Sequence, residues 1–315
     1  MTLYAKWTLL DLPGTLTITS DNNGLHAAYS GEEADYLTYQ WNMDDTPILN
    51  ANSTTHLPAK FGVYTVTVTS TRGYNPKTSD PVSPSALIFT DIAAMTAALS
   101  EASNNTAATA YNVKLNVSSL PWNWEPEGVA QAAFANKYVN LDLSGSTFTT
   151  IIRGAFKNCI GLTSIVIPAS VTTIDSNRMG YSPFESCTNL TSVTFAAGSQ
   201  LTSIAQATFR YCSSLPSVDL PATVTSIESY VFEGCTGLIS ITIPSGVISI
   251  ADYVFTDCSS LSSVTFEGTI GSSSFGMGTF LGDLRDKYFD SDNGGPGTYT
   301  TSNPGNYSAI WTKVN

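Results

Sequence analysis

Five cysteines are the residues whose chemistry first asks for an account: Cys159, Cys187, Cys212, Cys235 and Cys258. Thiols can close disulfides, ligate zinc or act as nucleophiles. An odd number cannot pair fully. A zinc site wants Cys-x-x-Cys or Cys/His pairs; neither occurs, and both histidines, His26 and His56, lie far upstream. The spacing says something else. Each Cys stands three residues after a phenylalanine (Phe156, Phe184, Phe209, Phe232, Phe255) and three before a leucine (Leu162, Leu190, Leu215, Leu238, Leu261). Six residues on comes Ile165, Val193, Val218, Ile241 or Val264, and eight on comes Ile167, Phe195, Leu220, Ile243 or Phe266. Pro168, Pro221 and Pro244 follow; then Val171, Leu201, Val224 or Val247; then Ile174, Ile204, Ile227 or Ile250. The period is 23 residues, as from Ile204 to Ser226. One unit, 174–203, is stretched by insertions around 177–182 and 196–199.

A fixed period of this length means a solenoid. Leu-x-x-Ile-x-Ile reads as a short strand with its apolar residues on one face, and proline at its exit stops further pairing. The Phe-x-x-Cys stretch is expected to make one helical or 3₁₀ turn. A single unit cannot bury its apolar face, but stacked units share a continuous core. Each buried Phe contributes roughly 1.5–3 kcal/mol. The five cysteines then form one internal column of small apolar side chains, expected as free buried thiols. Strand spacing of ~4.8 Å does not by itself forbid a bridge.

Other chemistry finds little support. There is no Gly-x-Ser-x-Gly elbow, no Gly-x-Gly-x-x-Gly and no P-loop, so no catalytic residue, cofactor or metal is assigned. Asp290-Ser-Asp292-Asn-Gly294 opens like a calcium loop but has Thr301 where Glu is needed, and reads as a solvated turn. The repeat carboxylates Asp219, Glu228, Glu233, Asp252 and Asp257 read as scattered solubilising charge. The outward positions of the strands are the candidate binding residues. Ser164, Ser192, Ser217, Ser240 and Ser263 form one column; Val166, Thr194, Asp219, Thr242 and Thr265 form the next. Together they would make a flat polar surface for a protein or glycan, or they are small residues that merely suit tight stacking. Trp122 and Trp124 are either core of a cap or a platform for sugar rings.

The totals narrow the class. Of the 315 residues 12% are charged, and the net charge is −12 with only 13 Lys and Arg. Nucleic acid and anionic membranes are therefore disfavoured as partners. No apolar run is long enough to span a bilayer. Met1–Trp7 lacks the design of a signal peptide, so export is expected to depend on a signal upstream.

The unit Ala155-Phe156-x-x-Cys159-x-x-Leu162-x-x-Ile165-x-Ile167-Pro168 resembles the BspA-like leucine-rich repeat, over residues 128–280. Phe134 and Tyr138–Ser146 look like its degenerate first unit, without the Cys and with Lys137 nearby. Residues 87–127 are expected as the N-terminal cap, with Thr90 or Asp91 capping a helix to about Ala102 and a strand from Tyr111 to Val117. Residues 281–315 are expected as the C-terminal cap. Residues 8–86 have strands at Leu16–Ile18, Leu25–Tyr29, Leu37–Trp41 and Tyr64–Val68. Tyr39-x-Trp41 and Gly62-x-Tyr64-x-Val66 resemble the central and tyrosine-corner strands of an immunoglobulin-like β-sandwich, with Val66 in place of the second Cys. Leu3–Trp7 resembles the end of an internalin-type B-repeat. The fold class is thus mostly β, a leucine-rich-repeat solenoid behind a sandwich. The resemblance implies a monomeric, non-enzymatic adhesin-like module, on the cell surface or secreted, binding surface or matrix proteins. A carbohydrate-binding accessory module and a simple spacer stay open.

Overall fold

The structure, a computed structural model, describes residues 11–21, 24–31, 36–56, 58–72, 74–84, 86–120, 134, 137–176 and 181–314. The chain divides into two compact units, Met1–Phe89 and Thr90–Asn315. Leu3–Trp7, both Trp122 and Trp124, and 177–180 of the first insertion lie outside the described residues.

The first unit has two antiparallel sheets. Leu16–Asp21, Gly24–Tyr29 and Thr55–His56 form one; Thr46–Pro47, Leu37–Met43, Tyr64–Ser70 and Lys77–Thr78 form the other. Asp44 and Asp45 both take left-handed φ, 48° and 62°. That is the geometry of a two-residue hairpin, and Met43 accordingly pairs with Thr46. One core joins Leu16, Leu25, Trp41, Tyr64, Val66 and Val68. The Tyr64 hydroxyl donates to the Lys60 carbonyl, 2.8 Å away.

The second unit is a β-solenoid of about seven turns. Asp91 caps the helix Ile92–Glu101 by accepting from the Ala93 and Ala94 amides. The strand Tyr111–Leu115 then pairs in parallel with Val139–Asp142, and the ladder continues through Leu162–Ile167 and Ser192–Phe195. A second stretch pairs Ser240–Ile243 with Ser263–Phe266. On the opposite face run two-residue strands: Thr150–Ile151 beside Thr173–Ile174, and Ser203–Ile204, Ser226–Ile227 and Ser249–Ile250 together. The inward residues Ile165, Val193, Val218, Ile241 and Val264 are buried. Inside the arc that joins the two faces the Phe rings stack from Phe156 to Phe280, with centroids 4.8–5.6 Å apart.

The Phe-x-x-Cys stretch is not a helical or 3₁₀ turn. Each Cys amide does donate to its Phe carbonyl three residues back, as Cys159 does to Phe156 at 3.1 Å. But the residue before every Cys is left-handed: Asn158, Ser186, Tyr211, Gly234 and Asp257 have φ of 56–70°. That reversal frees alternate amides to bond the next coil. Phe156 donates to Pro183, Phe184 to Thr208, Phe209 to Val231 and Phe232 to Val254. The arc is therefore a third ladder along the solenoid, with hydrogen bonds between coils as well as the Cys-to-Phe turn bond within each.

The far end is closed as a solenoid must be. Gly297–Thr300 pairs antiparallel with Ser263–Phe266, and Thr312–Val314 pairs antiparallel with Gly297–Thr300. Trp311 is buried; its amide donates to Asp283 and its indole to the Leu281 carbonyl.

Candidate functional site

The outward columns lie on the parallel-sheet face as the strand period demands. Ser192, Thr194, Ser217, Asp219 and Thr242 are exposed, and Ser164, Val166, Ser240, Ser263 and Thr265 are partly so. The columns are not equivalent along their length. At the first end Ser164 donates to Asn140 at 2.9 Å, Asn140 donates to Asn112, and Lys114 pairs with Asp142 at 3.7 Å. At the other end the Thr265 and Thr298 hydroxyls bond each other at 2.9 Å. Between them the side chains of Ser192, Thr194, Ser217, Asp219, Ser240, Thr242 and Ser263 bond nothing among the described residues. Other repeat hydroxyls behave differently: Thr191 donates to Thr163 and Thr225 to the Thr202 carbonyl, so those brace the stacking. Among the described residues, the middle of the sheet face is where hydroxyls and one carboxylate remain unbonded.

The surface is also not one unbroken sheet, as the columns alone predict. Ser217 and Asp219 sit in a stretch joined to the following coil by the isolated bridge Asp219–Thr242 and by the Pro216 carbonyl, with no continuous strand pairing. It does not pair with Ser192–Phe195. In the other coils the residue after the strand-opening Leu donates to its counterpart one coil back: Thr191 to Thr163, Ile239 to Pro216, Ser262 to Ile239. Pro216 has no amide hydrogen to give to Thr191.

The thiols sit in the arc, all five free and buried. Each S–H after the first points at the Phe carbonyl of the preceding coil: Cys187 to Phe156 at 3.0 Å, Cys212 to Phe184 at 3.2 Å, Cys235 to Phe209 at 3.1 Å, Cys258 to Phe232 at 3.0 Å. Burial pushes the Cys187 and Cys235 thiols up to about 12 and raises the other three as well. Thiols this reluctant to ionise are poor nucleophiles and poor metal ligands. Lys137 takes the place of the Cys three residues after Phe134; its ammonium reaches Asn104 at 2.7 Å.

One arrangement escaped the sequence reading. The residue after the first four repeat Phe residues forms a column of alternating charge, Lys157, Glu185, Arg210 and Glu233, which ends at Thr256 after Phe255. Neighbours pair at 3.5, 3.8 and 2.6 Å. Glu233 is thus not scattered solubilising charge. Neither are Glu228, which accepts from the Gln206 amide, and Asp252, which accepts from the Met277 amide. The signal was available in the strict alternation of sign at one register position. Asp290 accepts from the amides of Asp292 and Asn293, closing its own turn. Among the described residues no group of three or more His, Cys, Asp or Glu could hold a metal. No described helix is long and apolar enough to cross a membrane.

These stacked coils, with strand, arc and repeating Phe, Cys and Leu columns, define a leucine-rich-repeat solenoid. The profile of the BspA type leucine rich repeat region matches residues 109–183 and 177–283 in six copies, more than half of the chain, and the chain belongs to that family. Among solved structures, a leucine-rich-repeat protein of T. pallidum is 25% identical over 46% of this chain and 76% of its own, with a TM-score of 0.39. A leucine-rich cell surface protein of Faecalibacterium prausnitzii is 22% identical, with a TM-score of 0.39; 98% of this chain spans 62% of that one. A leucine-rich-repeat protein of Bacteroides ovatus is 14% identical over 92% of this chain and 98% of its own, with a TM-score of 0.28. No curated protein matches the chain.

Proposed function

We propose that this chain is a non-enzymatic adhesin-like module that works on a bacterial surface or after secretion and holds a partner protein on its repeat sheet. The observation that carries the reading is the set of unengaged side chains from Ser192 to Ser263, between two ends whose polar groups are tied to one another. Hydroxyls that brace the fold are bonded to it; these are spent on nothing among the described residues. A mixed array of donors and acceptors over an apolar floor suits hydrogen-bonded recognition of a protein surface. The first unit is read as an immunoglobulin-like sandwich on the Trp41 core and the Tyr64–Lys60 bond, and Leu3–Trp7 as the end of a B-repeat-like module.

Binding of the full chain to immobilised extracellular matrix proteins, run beside a glycan array, tests this. A Ser217→Arg, Ser240→Arg, Thr242→Arg triple variant should lose at least ten-fold in protein binding. Ile248→Arg, exposed on the opposite face, should keep it. Glycan binding without protein binding would turn the reading to a carbohydrate module. Silence in both assays would leave the solenoid a spacer.

A further inference from the structure

We propose that the solenoid contains a built-in joint at its Phe184 coil, whose spine is the Phe–Cys arc and whose opening changes the curvature of the Ser/Thr face. Two ladders are cut there. On the sheet face no backbone hydrogen bond joins Ser192–Phe195 to Ser217–Leu220. Prolines bracket that stretch at both ends: Pro216 withholds the donor due to Thr191. Pro221, like Pro168 and Pro244 at the same register, lacks the amide hydrogen with which Ala196 and Glu267 donate to Ile167 and Ile243. On the opposite face the rung between Thr173–Ile174 and Ser203–Ile204 is also missing. Asp175, Glu228 and Ala251 each donate to the isoleucine one coil back, at 2.8–3.0 Å, but Ala205 makes no such bond to Ile174.

The two cuts are offset by one coil. Ser192–Phe195 pairs backward with Leu162–Ile167, whereas Ser203–Ile204 pairs forward with Ser226–Ile227. The Phe184 coil therefore belongs to the first half by one strand and to the second half by the other, and the chain crosses between halves through the insertion at 196–199. Among the described residues only the arc is continuous. Across the cut Phe184 stacks on Phe209 at 5.4 Å, Cys212 donates to Phe184, Ser186 donates to Arg210 at 2.8 Å, and Arg210 pairs with Glu185. Two sheets that end within one coil of each other, joined by one unbroken edge, make a hinge in which the arc bends least and the sheet faces move most.

Spin labels on the full chain test this, because the buried native thiols leave added surface cysteines to react alone. Val166→Cys with Thr242→Cys spans the cut. Thr242→Cys with Val314→Cys spans the same number of sheet positions, about 14 Å at ~4.8 Å per strand, on one side of it. The distance distribution of the first pair should be at least twice as wide as that of the second. Pro216→Thr with Pro221→Ala, which restores both donors, should narrow it toward the control. Equal widths in the wild-type background overturn the joint. A wide distribution that restored donors leave unchanged overturns its assignment to the prolines.

Discussion

The Cys235 thiol donates to the carbonyl oxygen of Phe209, 3.1 Å away and one coil back. The bond explains why a thiol rather than a methyl fills this column: it fits an apolar site and gives a buried carbonyl a second donor. It also ties the thiol to its protonated form. Unfolded, it ionises around its ordinary 9.0; folded, burial holds Cys187 and Cys235 at about 12. A raised folded value means the stabilisation is whole below pH 9 and is lost as pH climbs toward 12. Each such thiol should then remove up to about 1.4 kcal/mol of stability per pH unit. Urea titrations from pH 8 to 10.5 should show the loss, and Cys235→Ala should flatten its share of it. Native alkylation should be negligible, with five free thiols appearing on unfolding without reductant. Fewer than five would sink the column of free thiols.

Gly234 stands where the arc needs a left-handed residue, with φ 70°, and the Tyr211 ring lies over it. Every other coil places a non-glycine at this position, so the conformation alone does not require Gly. The ring does: a methyl on Gly234 would overlap it. Gly234→Ala should cost about 1–3 kcal/mol. Tyr211→Ala in the same chain should recover at least ~1 kcal/mol of that as coupling energy. Independent, additive losses in urea midpoints would show that strain in the backbone, and not the ring, sets the cost.

Glu185 is buried between Lys157 at 3.5 Å and Arg210 at 3.8 Å. Glu185→Gln leaves two cations facing each other across a neutral amide, although Arg210 keeps Glu233 and Lys157 is partly exposed. The expected loss is about 1–3 kcal/mol, smaller than for an isolated buried pair. Equilibrium unfolding in urea with an unchanged slope is the measurement. No change in midpoint would mean the alternating column is ornament on an arc already held by its backbone ladder.

Much of this is legible in the sequence because burial is periodic. Phe156, Cys159 and Leu162 recur in register, and their columns are where the register puts them. The helix begins where its Asp91 cap places it. What is not legible depends on pairs. The arc escapes a sequence reading because Asn158, Ser186, Tyr211 and Asp257 take left-handed φ without being glycine, held there by bonds to the next coil that no single unit reveals. The break in the sheet is written in Pro216, but a missing donor matters only once Thr191 is known to be its acceptor. The outward hydroxyls form a column in the sequence, yet only the structure separates Ser164, tied to Asn140, from Ser192 and Ser240, which are not.

The first unit carries its own test in His56. The imidazole stacks on Trp41 at 5.7 Å and against Tyr64 at 5.6 Å, and burial lowers its pKa below the ordinary 6.5. The unfolded chain then binds the proton more readily than the folded one. Stability from this group is whole above pH 6.5 and is lost as pH falls through the depressed folded value. Amide exchange of Leu37–Met43 and Tyr64–Ser70, corrected for intrinsic rates, should therefore lose protection between pH 7 and 5. The solenoid strand Leu162–Ile167 lies in a unit that holds no histidine, and its protection should not follow. His56→Phe keeps the stack without the titration, and should abolish the pH dependence of the first unit while leaving its protection at pH 7 intact. A His56→Phe chain that still loosens below pH 6 would place the acid sensitivity on other groups.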